Sequence, residues 1–307
     1  MKELWTEKYR PKTVEEYVFT DQAVKEQVQG WIEEGACPHL LLHGPAGTGK
    51  TTLAKVLVNQ LGIDDYDFLQ VNASRDNGVA FLKTKIEDFV STLPFGHIKI
   101  VLLDEADYLS PNAQGLLRGL METYQAQARF ILTCNLVHKI ITPIKSRCVD
   151  LQINKTDPTE FTARAATVLV TEDIEFDLDT LDSYVKATYP DLRNCLKLIQ
   201  QNSSTGKLIS PREEQSSTAD YRLTMVDLFK QRRIREARKL LCEQARPEEM
   251  EEIFRWMYDN LDLWSKTEEG RDEAIMIIRK GIVWHSQCGD PEINLSATIT
   301  ELAGIEQ

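Results

Sequence analysis

The residues from Gly44 to Thr51 form a glycine-rich loop that is typical of a triphosphate-binding site. They read GPAGTGKT, fit the pattern GxxxxGK[ST], follow the apolar run HLLLH and lead directly into a helical pattern. Glycines let consecutive backbone N–H groups converge on phosphate oxygens, and the helix N-terminus adds its dipole. We expect Lys50 to neutralise the β- and γ-phosphates and the Thr51 hydroxyl to reach Mg²⁺. The predicted nucleotide-binding residues of the loop are Gly44, Pro45, Gly47, Thr48, Gly49, Lys50, Thr51 and Thr52.

Two carboxylates, Asp104 and Glu105, directly follow a second apolar run. Adjacent carboxylates at the end of a buried strand repel each other and lose hydration unless a cation lies beside them. A Mg²⁺–nucleotide complex would supply that cation. We therefore expect Asp104 to hold the metal through water and Glu105 to polarise the attacking water, whereas the alternative is an ordinary acidic loop.

Two further polar residues lie beside short apolar runs. Asn135 ends the run FILTCN, and an Asn at this place is commonly a turn former. Beside Asp104 and Glu105 in a parallel sheet, its amide could instead orient the attacking water. Arg147 precedes the last apolar run, and because a lone Arg in a loop is usually solvated, its role stays open on these grounds.

Short apolar strands alternate with helical segments up to about residue 153, which predicts an α/β fold with a parallel sheet between helices. The predicted strands are 39–44, 67–72, 98–104, 129–135 and 149–153, with helices at 50–61, 79–92 and 111–124. After residue 154 the pattern is helical throughout, with predicted helices at 157–170, 177–189, 191–202, 220–246, 247–266 and 270–287.

A chain of 307 residues exceeds what one hydrophobic core usually supports, so several domains are expected. The change of pattern and a polar stretch rich in Ser, with Gly and Pro, set the predicted boundaries. We predict a nucleotide-binding domain over 1–153, a small helical domain over 154–203, a linker over 204–217 and a helical domain over 218–307.

The formal net charge of −12 argues against nucleic-acid affinity over the whole surface, although a local basic strip remains compatible with it. The apolar runs are too short for a bilayer span, and the first residues lack the apolar stretch of a signal peptide, so we expect no membrane association and a cytoplasmic location. The six cysteines are spread singly, which signals neither a zinc site nor a disulfide framework.

Residues 154–157 spell NKTD, a pattern that selects guanine in GTPases. A GTPase would also carry DxxG after the metal-binding strand, but Asp104 is followed by Glu, Ala and Asp. Asp157 and Pro158 also serve simply as a helix start. The letters DEAD suggest RNA helicases, but those have two such domains in tandem, and this chain turns helical instead.

Together these residues resemble the AAA+ ATPases of sliding-clamp loaders: the small subunits of replication factor C and, more closely, the large subunit of the T-even-like bacteriophage clamp loader. The likeness rests on LWTEKYRP at 4–11, the phosphate loop, DEAD at 104–107, Asn135 and Ser146-Arg147-Cys148. It implies an AAA+ P-loop domain with a parallel sheet, a small helical lid domain and an all-α collar domain. It also implies that the chain binds ATP with Mg²⁺ and hydrolyses the ATP.

The resemblance assigns further site residues. Tyr9, Arg10 and Pro11 are expected against the adenine. Arg147 is expected to act as an arginine finger on the nucleotide of the neighbouring subunit. Arg193, within PDLRNCL, matches the second sensor that contacts the γ-phosphate; a solvated helix residue is the alternative.

The segment from Val71 to Asp76 and the helix after it resemble the family region that faces DNA. Arg75, Lys83 and Lys85 are the candidate DNA contacts, and a solvated helix face is the alternative. Ile86, Phe89 and Val90 have i, i+3, i+4 spacing, which is typical of a core face. The resemblance makes the same residues candidates for docking on the clamp.

The function that the resemblance implies is a switch driven by ATP. Several copies and a companion subunit would form an open spiral that opens a sliding clamp and closes it on primer–template DNA. Replication factor C relatives typically carry two adjacent Arg in the helix after DExD, whereas here Gly119 follows Arg118. This is nearer the phage pattern. A phage protein of this kind would be expected in the host cytoplasm. The alternatives are another oligomeric AAA+ motor, such as a branch-migration helicase, and a scaffold that uses ATP only to assemble.

Overall fold

The structure is a computed structural model that describes residues 3–75, 78–203, 205–209, 221–244, 249–285 and 287–305. The chain divides into two compact units. Unit 1 comprises Met1–Phe161 with Pro190–Arg193, and unit 2 comprises Thr162–Tyr189 with Asn194–Gln307. Within the described ranges, no helix combines the length and the apolar character that a bilayer crossing requires.

Unit 1 is built on a five-stranded sheet whose neighbouring strands all run parallel, in the order β2-β3-β4-β1-β5. The strands are β1 Leu40–His43, β2 Phe68–Asn72, β3 Lys99–Asp104, β4 Ala128–Cys134 and β5 Val149–Gln152. The predicted parallel sheet is confirmed. Because β4 lies between β3 and β1, the loops that follow these three strands meet at one edge of the sheet, which we call the carboxyl edge.

Helices cover both faces of this sheet. They are α1 Trp5–Lys8, α2 Gln22–Glu34, α3 Lys50–Gln60, α4 Val79–Ser91, α5 Pro111–Thr123 and α6 Thr142–Lys145. Successive strand residues point to opposite faces, so Leu40 and Leu42 pack on the face covered by α2 and α3, and Leu41 packs on the face covered by α4 and α5. Each such fully buried leucine contributes about 1.5–3 kcal/mol relative to exposure.

The helices that follow are α7 Pro158–Thr171, α8 Leu178–Thr188, α9 Leu192–Gln201, α10 Tyr221–Lys230, α11 Ile234–Gln244, α12 Met250–Asp259, α13 Glu268–His285 and α14 Pro291–Leu302. Residues assigned to the lid and the collar lie together in unit 2, where α8 packs against α10. Lys186 forms an ion pair with Asp262, and the Trp256 indole N–H donates to the Lys186 carbonyl at 2.7 Å. The division into lid and collar stays a prediction.

Two expectations about unit 2 are wrong. The helix predicted over 220–246 is broken into α10 and α11 at Arg232, which has a left-handed φ of 59°. The N–H groups of Arg232 and Arg233 cap α10 by donating to Phe229 and Leu228 at 3.0 and 2.9 Å, a termination that usually carries Gly, so no residue type signals it here. The single helix predicted over 247–266 is also wrong, because α12 ends at Asp259 and a short 3-10 turn follows over Leu261–Leu263.

The predicted linker is partly packed. Leu208 is 1% exposed, and its N–H donates to the Glu175 carbonyl at 2.8 Å. The Tyr184 hydroxyl donates to the Ile209 carbonyl at 2.9 Å. Leu208 therefore belongs to the core of unit 2, whereas Thr205, Gly206 and Lys207 are exposed. Ser204 and residues 210–217 lie outside the described residues.

Candidate nucleotide-binding site

The phosphate loop joins β1 to α3 through glycines at positions where a side chain would be strained by the backbone conformation and crowded by its neighbours. Gly44 has a φ of 151°, and a Cβ there would lie 2.1 Å from the Ile153 carbonyl oxygen. Gly49 has a φ of 89°, and a Cβ there would lie 3.1 Å from the Tyr17 hydroxyl oxygen. Close approach of neighbouring segments and left-handed backbone together explain why the loop needs glycine at these positions.

Lys50 begins α3 and is 8% exposed. Its ammonium group donates to the carbonyls of Gly44 and Pro45 at 2.9 and 2.7 Å. Burial lowers the pKa of Lys50, whereas Cys134, Asp107 and Asp104 act in the opposite direction. The loop thus holds one buried cation against its own backbone.

Thr51 and Asp104, both predicted to bind metal, are in direct contact. The Thr51 hydroxyl donates to Asp104 Oδ1 at 2.7 Å. A hydroxyl and a carboxylate are oxygen ligands of the kind that Mg²⁺ takes in nucleotide sites, so this pair fits the ion. Glu105 follows at a left-handed φ of 58°, an uncommon conformation for a residue with a side chain.

Thr133 is a site residue that sequence reasoning missed. Its hydroxyl donates to Asp104 Oδ1 and accepts the Glu105 N–H at 3.1 Å. On β4, Thr133 directly follows Leu132, which pairs with Leu103, the residue before Asp104 on β3. A Thr inside an apolar strand has no motif to mark it, and only this register identifies it.

Asn135 is exposed and follows β4, the strand between β1 and β3, so the structure brings it to the carboxyl edge beside the phosphate loop and Glu105. The next residue, Leu136, donates its N–H to Asp107 Oδ2 at 3.1 Å. Asp107 is 8% exposed, and its Oδ1 has no hydrogen-bond partner among the described residues. Asp107 therefore ties the loop after β4 to the loop after β3.

Arg147 lies near the amino ends of the strands, whereas its own phosphate loop lies at their carboxyl ends. It precedes β5, whose first residue, Val149, pairs with Leu40 at the start of β1, whereas Gly44 follows the end of β1. The four residues of β1 span about 13 Å at about 3.3 Å per residue. The structure thus does not bring Arg147 together with Lys50 and Asp104.

The segment Pro190–Arg193 belongs to unit 1 and lies against the phosphate loop. A Cβ on Gly47 would lie 2.9 Å from the Cα, Cβ and Cγ atoms of Asp191. Arg193, two residues further, is exposed at the start of α9. Asp191 was not among the predicted site residues, although it stands two positions before the predicted sensor.

An open recess with about 250 Å³ of empty space lies beside the phosphate loop. Its lining comprises Tyr17, Val18, Phe19, Thr20, Asp21, Val24, Thr48, Gln152, Ile153 and Asn154. Tyr17 is 8% exposed and donates its hydroxyl to the Thr48 carbonyl at 3.3 Å, and burial raises its pKa. Tyr9, Arg10 and Pro11 are not in this lining, and their contact with a base stays a prediction.

The residues predicted to meet DNA and the clamp differ in exposure. Arg75, Lys83 and Lys85 are exposed. Ile86 and Val90 are 0% exposed and pack in the core between α4 and the sheet, which corrects the docking prediction for these two residues. Ile86 and Val90 are four residues apart on α4, a spacing that is typical of the buried face of a helix.

The NKTD segment has a structural role at its last residue. Asp157 directly precedes α7 and accepts the Thr159 N–H at 2.8 Å. Hydrogen bonds from the Thr159 side chain and from backbone N–H groups lower the pKa of Asp157. Asp157 therefore caps a helix, which was the alternative to the guanine-binding interpretation of NKTD.

Comparison with known proteins agrees with this geometry. Residues 40–156 match the family described as "ATPase family associated with various cellular activities (AAA)". The replication factor C small subunit of Halobacterium salinarum is 36% identical over 223 residues, covering 72% of this chain and 69% of that protein. The chain belongs to the replication factor C small-subunit family. The predicted AAA+ fold and the predicted resemblance to replication factor C small subunits are confirmed.

Other replication factor C small subunits match a shorter part of the chain. The protein from Sulfurisphaera tokodaii is 38% identical over 209 residues, covering 67% of this chain. The chain spans 64% of that relative's length, and 65% of the relative from Picrophilus torridus.

Solved structures show the same fold at lower identity. The Thermotoga maritima RuvB structure described as a Holliday junction branch migration motor has a TM-score of 0.55 and 18% identity, covering 66% of this chain and 70% of that one. A mutant form of the same protein has a TM-score of 0.56 and 16% identity, covering 76% of this chain and 80% of that one. At this identity the likeness concerns the fold alone.

Proposed function

We propose that this chain is an ATPase subunit of a DNA replication clamp loader. It would use ATP binding and hydrolysis to open a sliding clamp and close it on primer–template DNA. The family membership supports this activity. One feature of the geometry supports it. The nucleotide-binding residues lie at the carboxyl edge of the sheet, whereas Arg147 lies near the amino ends of the strands.

The separation of Arg147 from Lys50 has a mechanistic consequence. An arginine finger stabilises charge that develops on the transferring phosphoryl group, so it must reach the γ-phosphate. Arg147 cannot reach the phosphates of its own subunit across the length of β1. It would therefore serve the nucleotide of a neighbouring subunit, and hydrolysis would require an assembly of several copies with a companion subunit.

Each residue at the carboxyl edge has a proposed task. The phosphate loop from Gly44 to Thr52 would bind the triphosphate, with Lys50 donating to its oxygens in exchange for the loop carbonyls. Thr51 and Asp104 would hold Mg²⁺, which neutralises phosphate charge. Glu105 would accept a proton from the attacking water, and Asn135 would orient that water.

Two features complete the pocket within the same subunit. The contact of Asp191 with the phosphate loop supports the proposal that Arg193 contacts the γ-phosphate in cis. The recess beside Thr48 has an apolar side formed by Val18, Phe19 and Ile153, which suits the faces of an adenine ring.

The clamp would dock on a different surface from the one predicted. Phe89 is only partly buried, with its ring under the Lys99 ammonium at 4.6 Å. Beyond α4, Leu93 and Phe95 are 79% and 80% exposed, and Phe95 lies 5.6 Å from the ring of Tyr66, which is 75% exposed. We name Tyr66, Leu93 and Phe95 the Phe95 patch and propose that it docks on an apolar groove of the clamp.

DNA would meet the other end of α4. Arg75 is exposed in the segment before this helix, and Lys83 and Lys85 are exposed on the helix itself, as phosphate contacts require. Arg118 followed by Gly119 supports a phage origin, and a loader of this kind would act in the host cytoplasm, where DNA is copied.

The decisive experiment is steady-state phosphate release, with and without clamp and primed DNA. Lys50→Ala should abolish ATP binding, and Glu105→Gln should keep binding while it stalls hydrolysis. Arg147→Ala should leave the affinity for ATP intact while hydrolysis collapses by about 10³-fold or more. If dilute monomer hydrolyses ATP as fast per chain as the assembled complex, the shared site is wrong.

A branch-migration motor is the competing function, since RuvB shares the fold. A motor would move strands, whereas a loader hydrolyses ATP once a clamp is placed. A strand-displacement assay on branched DNA separates the two. A scaffold that only assembles with ATP would show no phosphate release. The presence of Glu105 and Asn135 in the sequence supports hydrolysis instead.

A further inference from the structure

Arg147 is held within its own subunit by two groups. Its Nη2 donates to Glu122 Oε1, and the two side chains form an ion pair. Its Nη1 donates to the Pro143 carbonyl at 2.6 Å. Glu122 lies near the end of α5, on the helix that begins at Pro111 shortly after the Glu105 loop. None of the recognisable motifs includes Glu122.

We propose that Glu122 is a positioning residue that orients the Arg147 guanidinium toward the nucleotide of the neighbouring subunit. This inference rests on the proposed function, because it requires Arg147 to act across a subunit interface. Glu122 itself would not touch the nucleotide. It would fix the plane of the guanidinium so that the group arrives in the orientation that phosphate binding needs.

The donors of Arg147 are sufficient for both tasks. A guanidinium carries five N–H donors. The contacts with Glu122 and Pro143 use two of them, and the side chain of Arg147 stays 34% exposed. The remaining donors can meet a phosphate while the internal contacts persist.

Charge sharing at Glu122 keeps Arg147 attractive to phosphate. Arg118 Nε lies 3.8 Å from the same carboxylate oxygen of Glu122, so two cations share one anion. The carboxylate is 46% exposed, and an exposed ion pair of this kind is weak. Glu122 therefore sets the direction of Arg147 without competing strongly with a triphosphate.

The test is Glu122→Ala in the assembled complex with clamp and primed DNA. We expect turnover to fall about tenfold, because a misplaced group near the reacting atoms loses rate. The affinity for ATP should not change, since Glu122 lies away from its own phosphate loop. Glu122→Gln keeps an oxygen that accepts from Arg147 and should recover most of the rate. Turnover of Glu122→Ala within twofold of the unmodified protein would overturn the proposal.

A double variant distinguishes positioning from a general loss of structure. Glu122→Ala added to Arg147→Ala should cause no further loss, because Glu122 acts only through Arg147. Equal and additive losses would overturn the inference. The matched control is Glu236→Ala, which breaks the exposed ion pair with Arg233 in unit 2 and should leave turnover unchanged.

Mixed complexes locate the effect on the finger side. Lys50→Ala subunits supply fingers and Arg147→Ala subunits supply nucleotide sites. Glu122→Ala should lower turnover when it is placed in the Lys50→Ala subunits and should have no effect in the Arg147→Ala subunits. The reverse result, or an equal loss in both, would overturn the proposal.

The uniform variants separate this inference from the proposed function. If the complex with Arg147→Ala stays active, the shared site is wrong. If Arg147→Ala is inactive but Glu122→Ala stays active, the inference fails and the shared site stands.

Discussion

The hydroxyl of Thr133 donates to Asp104 Oδ1, the oxygen that also accepts the hydroxyl of Thr51. Thr133 is 2% exposed and comes from β4, whereas Thr51 comes from α3. Two buried or half-buried donors therefore fix one carboxylate oxygen from two sides. The orientation of Asp104 depends on a strand that carries none of the phosphate-loop residues.

Thr133→Val tests this dependence. The substitution keeps the shape of the side chain but removes its acceptor for the Glu105 N–H and its donor for Asp104. Leaving buried polar groups without partners lowers the free energy of unfolding by about 1–3 kcal/mol. We expect that loss in chemical denaturation, together with slower phosphate release. Thr167→Val on α7, whose hydroxyl donates to Ala163 on the helix surface, should change stability by less than about 0.5 kcal/mol.

Asp107→Ala should displace Asn135. The substitution removes the acceptor of the Leu136 N–H, so the loop after β4 loses its tie to the loop after β3. We expect slower hydrolysis with the affinity for ATP largely kept. Asp107→Asn keeps an oxygen that accepts the same N–H and should retain more of the rate than the alanine variant. Equal rates for the two variants would contradict the role of this hydrogen bond.

As the pH rises, the affinity for ATP should fall at a lower pH than it would if Lys50 had the pKa of an exposed lysine. Burial lowers the pKa of Lys50, so its neutral form appears at a lower pH than that of an ordinary lysine. Asp107 opposes the shift, and Asp107→Asn should move the loss of affinity to still lower pH. Titrations of ATP binding across the alkaline range measure this. Lys50→Arg stays charged throughout and should show a flat profile there.

The sequence predicts which residues lie at the carboxyl edge of unit 1, because this placement depends on local patterns. The phosphate loop, Asp104 and Asn135 each follow an apolar strand, and parallel strands bring their ends together. Thr133 could not be predicted, because its role depends on the register between β3 and β4. Glu122 likewise depends on a contact with Arg147 between residues that are far apart in the chain.

Two errors show where local patterns mislead. Ile86 and Val90 fit a docking face and a core face equally well, and only the packing of α4 on the sheet decides between them. Arg232 ends α10 in a left-handed conformation without the Gly that usually marks such an end. The packing of α10 against α11 outweighs the preference of Arg232 for a right-handed conformation.

Gly44→Ala should disrupt the phosphate loop. The added Cβ would lie 2.1 Å from a backbone oxygen of Ile153, which cannot move without shifting the end of β5. Strain of this kind costs about 1–3 kcal/mol from the backbone conformation alone, and the contact adds to it. We expect a lower melting temperature and lost ATP binding. Gly30→Ala on α2, where a Cβ meets no atom within 4 Å, should instead stabilise the protein by about 0.5–1 kcal/mol.

Phe95→Ala should weaken clamp binding without affecting folding. The ring is 80% exposed, so its removal should change the free energy of unfolding by less than about 0.5 kcal/mol. An aromatic anchor at an interface carries about 2 kcal/mol or more, which corresponds to a loss of about 30-fold in affinity. Binding to immobilised clamp in the presence of ATP measures this, and Leu178→Ala, at a similarly exposed leucine of unit 2, is the control.

The rigidity of the Phe95 patch offers a second test. Asp67 is 1% exposed and accepts the N–H groups of Phe95 and Gly96 at 3.0 and 2.6 Å, which fixes the loop that carries the ring. Asp67→Ala keeps the aromatic ring but frees this loop. If the patch binds the clamp as an ordered surface, Asp67→Ala should weaken clamp binding in the same direction as Phe95→Ala, while ATP affinity stays unchanged. Clamp affinity unaffected by both variants would place the docking surface elsewhere on the chain.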